Sequence, residues 1–224
     1  TAIIEKGKGI AAAKLKVKAD NIEFDSGIFR VSGTNLSIDI HQVAKAAFDG
    51  PKELEHESLG LTATGRFGTS DSTFSNGCHI CEIEIDPETG VAKVDRYTIV
   101  DDLGTVINPM LLTGQVQGGT IQGIGQALLE NCCYDTVDGQ LLTGSFMDYA
   151  MPRGDDLPDI HVEANSVPTS TNPLGVKGAG EAGTIGAMPC VMNAAIDALS
   201  SLGISQLDMP LTPGRVWQAI QSTG

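Results

Sequence analysis

The stretch "NPMLLTGQVQGGTIQGIGQALLE", residues 108–130, constrains the fold of this chain more than any other. Asn108 is a good helix N-cap, and Pro109 suits the first helical position. Leu112, Val116, Ile124 and Leu128 then recur at helical spacing, which predicts one long helix through residues 110–130. The same segment carries Gly114, Gly118, Gly119, Gly123 and Gly125. At about 1 kcal/mol each against Ala, its glycines cost on the order of 5 kcal/mol of helix propensity. Something must offset that loss. Either another backbone or a bulky cofactor approaches the helix closely, or the glycines serve protein packing alone.

The surrounding segments alternate between the two kinds of element. Residues 9–16 read as a short helix, and residues 21–31 as two strands about an Asp25-Ser26-Gly27 turn. Ser37 or Asp39 can cap a helix over 41–48, and the polar run 50–76 reads as a surface connection. Residues 79–86 and 91–102 form a hairpin about 87–90, with apolar positions at Ile80, Ile83, Ile85, Val91 and Val94. A strand over 159–167 and a Pro- and Ser-rich turn at 168–173 precede a helix over 187–203, which Gly203 ends. Thr212-Pro213 opens a closing helix over 215–220. Without clean βαβ spacing, the class is α+β: mixed sheets with packed helices, taken as one domain over residues 1–224.

Charge removes several functions. A formal net charge of -14 argues against a broad nucleic-acid surface. Lys6, Lys8, Lys14, Lys16 and Lys18 read as a solvated helix face rather than a phosphate site. No apolar run suggests a membrane span and no signal peptide is visible, so the expected location is the cytoplasm. A start at Thr1 reads as a processed chain or a piece of something longer. Five cysteines at irregular spacing do not make a secreted disulfide framework. Cys78 and Cys81 look like half a zinc site, but residues three apart on a strand face opposite ways. They read as buried apolar cysteines, and no metal ligand is assigned.

The loop "LGVKGAGEAGTIGA", residues 174–187, has Gly178, Gly180 and Gly183 in the G-x-G-x-x-G spacing of a dinucleotide cradle. Three features oppose that reading: a weak preceding strand, too few residues after Gly183, and Pro189, which a helix starting inside the motif would enclose. Glu181 would also put a negative charge where a pyrophosphate lies. The loop therefore reads either as a carrier for Glu181, a general base if its surroundings are partly dry, or as a turn with one solvated glutamate.

Three long segments carry a resemblance. Residues 100–130, 144–159 ("GSFMDYAMPRGDDLPD") and 172–199 are similar to the molybdenum hydroxylases, the family of xanthine dehydrogenase, aldehyde oxidoreductase and the large subunit of aerobic carbon monoxide dehydrogenase. The last is nearest in style, and the likeness runs over about residues 9–221. It implies a C-terminal portion of a molybdopterin-binding large subunit, with the cytosine dinucleotide form of the cofactor favoured. Glu181 would be the base beside molybdenum. Gln115 would contact the cofactor, Asn108 would lie near its phosphate or nucleotide portion, and the backbone of Lys177, Gly178, Ala179 and Gly180 would contact the pterin.

The resemblance also implies partners: the rest of the large subunit, an FAD-binding subunit, an iron–sulfur subunit and a small-molecule substrate. The upstream part of the family's large subunit lies outside this sequence. Gly214 stands where the family usually has an acid, which lowers the expected stability of the last helix. Two functions compete on these grounds: part of a molybdenum oxidoreductase, inactive alone, or a non-catalytic cofactor-binding or assembly subunit.

Overall fold

Ser26 and Gly27 both have positive φ, 48° and 81°, as a two-residue type I′ hairpin turn requires. They join strand β1 (Ile22–Asp25) to β2 (Ile28–Val31), with Asp25 opposite Ile28. A third strand, β3 (Ser37–Asp39), pairs antiparallel with β2. Asp39 Oδ1 accepts from the Gln42 N–H at 2.8 Å, while the Asp39 N–H donates to Gln42 Oε1 at 3.3 Å. That reciprocal cap starts the helix Ile40–Asp49, and of the two expected caps Asp39 is the one used. This helix is α2, because a longer one precedes it: α1 spans Ala2–Leu15.

The expected start at residue 9 is corrected by seven residues. Gly7 and Gly9 hid the stripe that Ile4, Gly7, Ile10 and Ala11 make. A Cβ on Gly7 would lie 2.5 Å from the Phe29 ring, so the glycine seats that ring. Ile10, Ala11, Ile22, Phe29, Val31, Val43 and Ala46 form the core of this unit, which covers Thr1–Gly68. Lys14, Lys16 and Lys18 are exposed. The structure is a computed structural model that describes residues 1–49, 60–69 and 71–223; much of the expected connection at 50–76 lies outside them.

The second unit covers Thr69–Gly224. Strands β4 (Asn76–Ile85) and β5 (Ala92–Asp102) pair antiparallel, and β6 (Ile160–Ala164) joins β5 in parallel. Glu82 faces Arg96 but Ile83 faces Val94, so Asp95 is an extra residue on β5. The bulge explains why Val94 and Tyr97, three apart, both point into the core. The hairpin's expected apolar face is corrected on β4 for a separate reason: Ile80 lies three residues before Ile83 and so points the other way. His79, Cys81, Ile83 and Ile85 face inward, whereas Ile80 and Val91 are exposed. Cys78 is exposed, not buried, because it shares the outward parity of Ile80.

Helix α3 (Pro109–Leu128) forms as the sequence requires, with Val116, Ile124 and Leu128 buried. Helix α4 spans Ala182–Ser200, five residues longer at its start than expected, and so encloses Pro189. A proline there removes the partner of the Ile185 carbonyl, a loss of about 3 kcal/mol in a helix interior. Ile185 and Pro189 are exposed on this chain, where water can satisfy that carbonyl. The objection to a helix beginning inside the glycine motif therefore fails, because packing of α4 on α3 overrides propensity.

Gly119, Gly123, Gly183 and Ala187 form that contact. A Cβ on Gly123 would lie 2.7 Å from the Ala187 Cβ, and one on Gly183 would collide with the Val116 carbonyl. Among the described residues α4 alone is long and apolar enough to cross a membrane, yet Val191, Ala195 and Leu199 bury its inner face in the core. Helix α5 (Pro213–Gln221) closes the chain despite Gly214. With two three-stranded sheets and five α-helices among the described residues, the α+β reading holds.

Candidate functional site

The glycine loop is rigid at its base. Asn172 Nδ2 donates to the Val176 carbonyl at 2.9 Å, and its Oδ1 accepts from the Val176 N–H at 3.1 Å. Residues 175–177 then run against the segment after β5: Thr105 N–H donates to the Gly175 carbonyl at 2.9 Å, and Lys177 N–H to the Leu103 carbonyl at 3.1 Å. Gly104 and Gly175 both have φ +68°, and a Cβ on Gly104 would strike the Gly175 carbonyl. Only glycine permits this approach.

Asp102 joins these segments. Its carboxylate accepts from Lys177 Nζ at 2.5 Å, from the Gly104 N–H at 2.9 Å and from the Val167 N–H at 2.9 Å. The Lys177 ammonium foremost, then the two backbone donors, holds the Asp102 carboxyl well below the usual carboxylate range. The Lys177 side chain is thus committed to a protein anion and its N–H to the Leu103 carbonyl, which leaves its own carbonyl for a ligand. Sequence reasoning missed Asp102, although two acids ending an apolar strand, Asp101-Asp102, were a signal: alternation must bury at least one of them.

Beyond Lys177 the loop opens. A Cβ on Gly178 or Gly180 would have no heavy atom within 4 Å. Ala179 packs on the core, and Glu181 is the exposed N-cap residue of α4, with no side-chain capping bond. This chain alone does not supply the partly dry surroundings expected for Glu181. Gln115 Nε2 donates to the Gly180 carbonyl at 2.8 Å, so the residue expected to touch the cofactor also ties α3 to the loop tip.

The outward face of α3 continues the opening. Leu111, Gly114, Gln115 and Gly118 are exposed at helical spacing, and a Cβ on Gly114 or Gly118 meets nothing within 4 Å. Asn108 caps the helix, its Oδ1 accepting from the Leu111 N–H at 3.2 Å. The structure therefore joins Gln115 to Gly180 directly and tethers Lys177 at the base. It places Asn108 at the start of the helix that carries Gln115.

A second polar group lies on the inner face of β4 and β5. His79 Nδ1 is 2.9 Å from the Tyr97 hydroxyl, and His79 Nε2 is 3.5 Å from Asp101 Oδ1. Burial, then the neighbouring Cys190, pushes the Cys81 thiol up to about 12, and burial also raises Cys190 and Tyr97. These thiols stay protonated and unreactive at neutral pH.

The architecture and sequence have clear relatives. The molybdopterin cofactor-binding domain family matches residues 1–158. The nicotine 6-hydroxylase large subunit of Paenarthrobacter nicotinovorans is 39% identical over 220 residues, 97% of this chain and 27% of that one. The carbon monoxide dehydrogenase large chain of Afipia carboxidovorans is 34% identical over 220 residues, 98% of this chain and 27% of that one. The solved Cu,Mo-CO dehydrogenase superposes with a TM-score of 0.83 at 33% identity, covering 99% of this chain and 28% of that one. The chain thus spans about a quarter of the length of the relatives it matches. It belongs to the molybdopterin cofactor-binding domain family of the molybdenum hydroxylases.

Proposed function

We propose that residues 1–224 together form the C-terminal cofactor-binding portion of the large subunit of a molybdenum-dependent oxidoreductase, with Glu181 as its general base. The observation that carries this reading is the row of unfilled glycine positions. Gly114 and Gly118 on α3, and Gly178 and Gly180 in the loop, leave open space where neighbouring glycines are tightly packed. Glycines fit there if a ligand lies against bare backbone. When bound, molybdopterin with its molybdenum supplies the redox chemistry, with the cytosine dinucleotide as the form favoured here.

The chain's own residues then have distinct tasks. The backbone of Lys177, Gly178, Ala179 and Gly180 lies along the pterin, and Gln115 holds the loop tip while facing the same opening. The N-terminus of α3 at Asn108 favours the anionic portion, through its helix dipole and unpaired first-turn N–H groups. Glu181, one residue past the tip, takes a proton at its carboxylate from the reacting group. The rest of the large subunit covers the site and dries it. FAD-binding and iron–sulfur subunits take the electrons, the substrate is a small molecule, and the complex is cytoplasmic. The isolated chain, with one wall of the site, binds little molybdenum and turns nothing over.

The test is Glu181→Gln in the complete enzyme, with molybdenum content and turnover measured on the same preparation. Expected are near-normal molybdenum and a fall in turnover of roughly 10²-fold or more. Most of the activity retained at full occupancy would remove Glu181 from the mechanism.

A further inference from the structure

Glu181 is the N-cap residue of α4, and its side chain makes no capping bond. The reach of its carboxylate is therefore set by the backbone of the helix's first turns. Two neighbours hold those turns. On one side is α3: a Cβ on Gly183 would strike the Val116 carbonyl, and Thr184 Oγ1 donates to the Gly119 carbonyl at 2.9 Å. On the other side is β4, and there the contact is with His79. A Cβ built on Gly186 would lie 2.6 Å from both ring nitrogens of His79 and closer still to Cε1, which puts it over the face of the imidazole. The bare backbone of Gly186 rests on that ring.

The ring is held from behind. The His79 side chain is 7% exposed, and its Nδ1 lies 2.9 Å from the hydroxyl of the fully buried Tyr97. Nε2 lies 3.5 Å from Asp101 Oδ1, and Gly77 leaves room for that carboxylate, because a Cβ there would collide with Oδ1. A buried polar side chain costs free energy that an apolar one of similar size would not. Here the two nitrogens fix the plane in which the ring meets Gly186. Ala182, Ile185 and Gly186 otherwise border a cavity of about 260 Å³, walled on β4 by Asn76. Without the ring, the start of α4 has room to move toward β4.

We propose that His79 is a positioning residue for the reaction: its ring, oriented by Tyr97 and Asp101, spaces the start of α4 from β4 and so sets where Glu181 reaches. The proposal rests on Glu181 being the general base. A misplacement of about 1 Å at a reacting group can cost on the order of 10²-fold in rate, so such a contact matters even for a residue that acts only through the backbone.

The test is a double-mutant cycle in the complete enzyme, with molybdenum content, kcat and KM measured on each preparation. His79→Ala should keep near-normal molybdenum and a KM within about 2-fold, while kcat falls roughly 10-fold or more. In a Glu181→Gln background the same change should cost less than about 2-fold, because no base is left to position. A merely structural role would move molybdenum content or Tm without this coupling. Normal kcat in His79→Ala at full occupancy overturns the proposal, and so does an equal fall in both backgrounds. Full activity of Glu181→Gln alone overturns the general-base reading and this proposal with it. A slow Glu181→Gln beside a fully active His79→Ala overturns this proposal alone. Where His79→Ala does not assemble, His79→Asn, which keeps a polar group beside Tyr97 but offers no ring to Gly186, is read in the same way.

Discussion

On the side of α3 that meets α4, a Cβ on Gly119 would lie 3.1 Å from Thr184 Oγ1, and one on Gly123 would lie 2.7 Å from the Ala187 Cβ. On the side that meets the loop, Gly114 and Gly118 have no heavy atom within 4 Å of where a Cβ would stand. Gly118 and Gly119 are neighbours in sequence, yet they belong to different problems. Where the helices cross, the entropic cost of glycine is offset by backbone contact, and Thr184 Oγ1 uses it to donate to the Gly119 carbonyl at 2.9 Å. On the open side nothing among the described residues offsets it. The lesson is that a residue type carries no function until its neighbours are known.

The largest effect should come from filling the packed side. Gly123→Leu must separate α3 from α4, and overpacking of this kind costs about 3 kcal/mol, or on the order of 10 °C in Tm. Thermal unfolding of the chain checks it, and an unchanged Tm would mean that the two helices are not held together as described.

The next effect concerns how the open side is anchored. The Asp102 carboxyl has its folded pKa lowered by Lys177, so its stabilisation is complete above the unfolded carboxylate value near pH 4 and is lost as pH falls further. Asp102→Asn should therefore be less stable at pH 7, and below about pH 4 it should lose stability less steeply than the parent. Urea midpoints measured against pH test this, and parallel acid limbs would show that Asp102 does not anchor the loop.

Filling the open side should do the reverse of filling the packed side. Gly118→Leu should leave the stability of the chain unchanged or raise it by about 0.5–1 kcal/mol, through helix propensity. The same change should lower molybdenum content in the complete enzyme. Loss of chain stability comparable to that of Gly123→Leu would break the distinction between the two faces. The smallest effect belongs to Gln115→Ala, which removes one exposed hydrogen bond to Gly180, worth about 0.5–1 kcal/mol at most.

Much of the candidate site's local structure was readable because its signals are local. Asn108-Pro109 announces a helix start, and the 3.6-residue stripe of Val116, Ile124 and Leu128 follows within the same helix. The Glu181 loop stood out by its glycines, and the family likeness rests on the same short segments. The misreadings were of another kind. The bulge at Asp95 put Val94 and Tyr97 on one face although they are three apart, and Pro189 ended up inside a helix because α4, which encloses it, packs on α3.

The sequence by itself determined the turn at Ser26-Gly27, the cap at Asn108 and the long glycine-bearing helix, and it narrowed the cap of α2 to Ser37 or Asp39. Each of these depends on residues within about one helical turn of one another. Only the tertiary structure decided which glycines are filled, that Asp102 holds Lys177 from 75 residues away, and that His79 stands against Asp101. Those contacts join segments far apart in the chain, and no spacing along the sequence encodes them. They follow from the pleat of β5, its bulge and the close crossing of α3 and α4, which exist only once the core has formed.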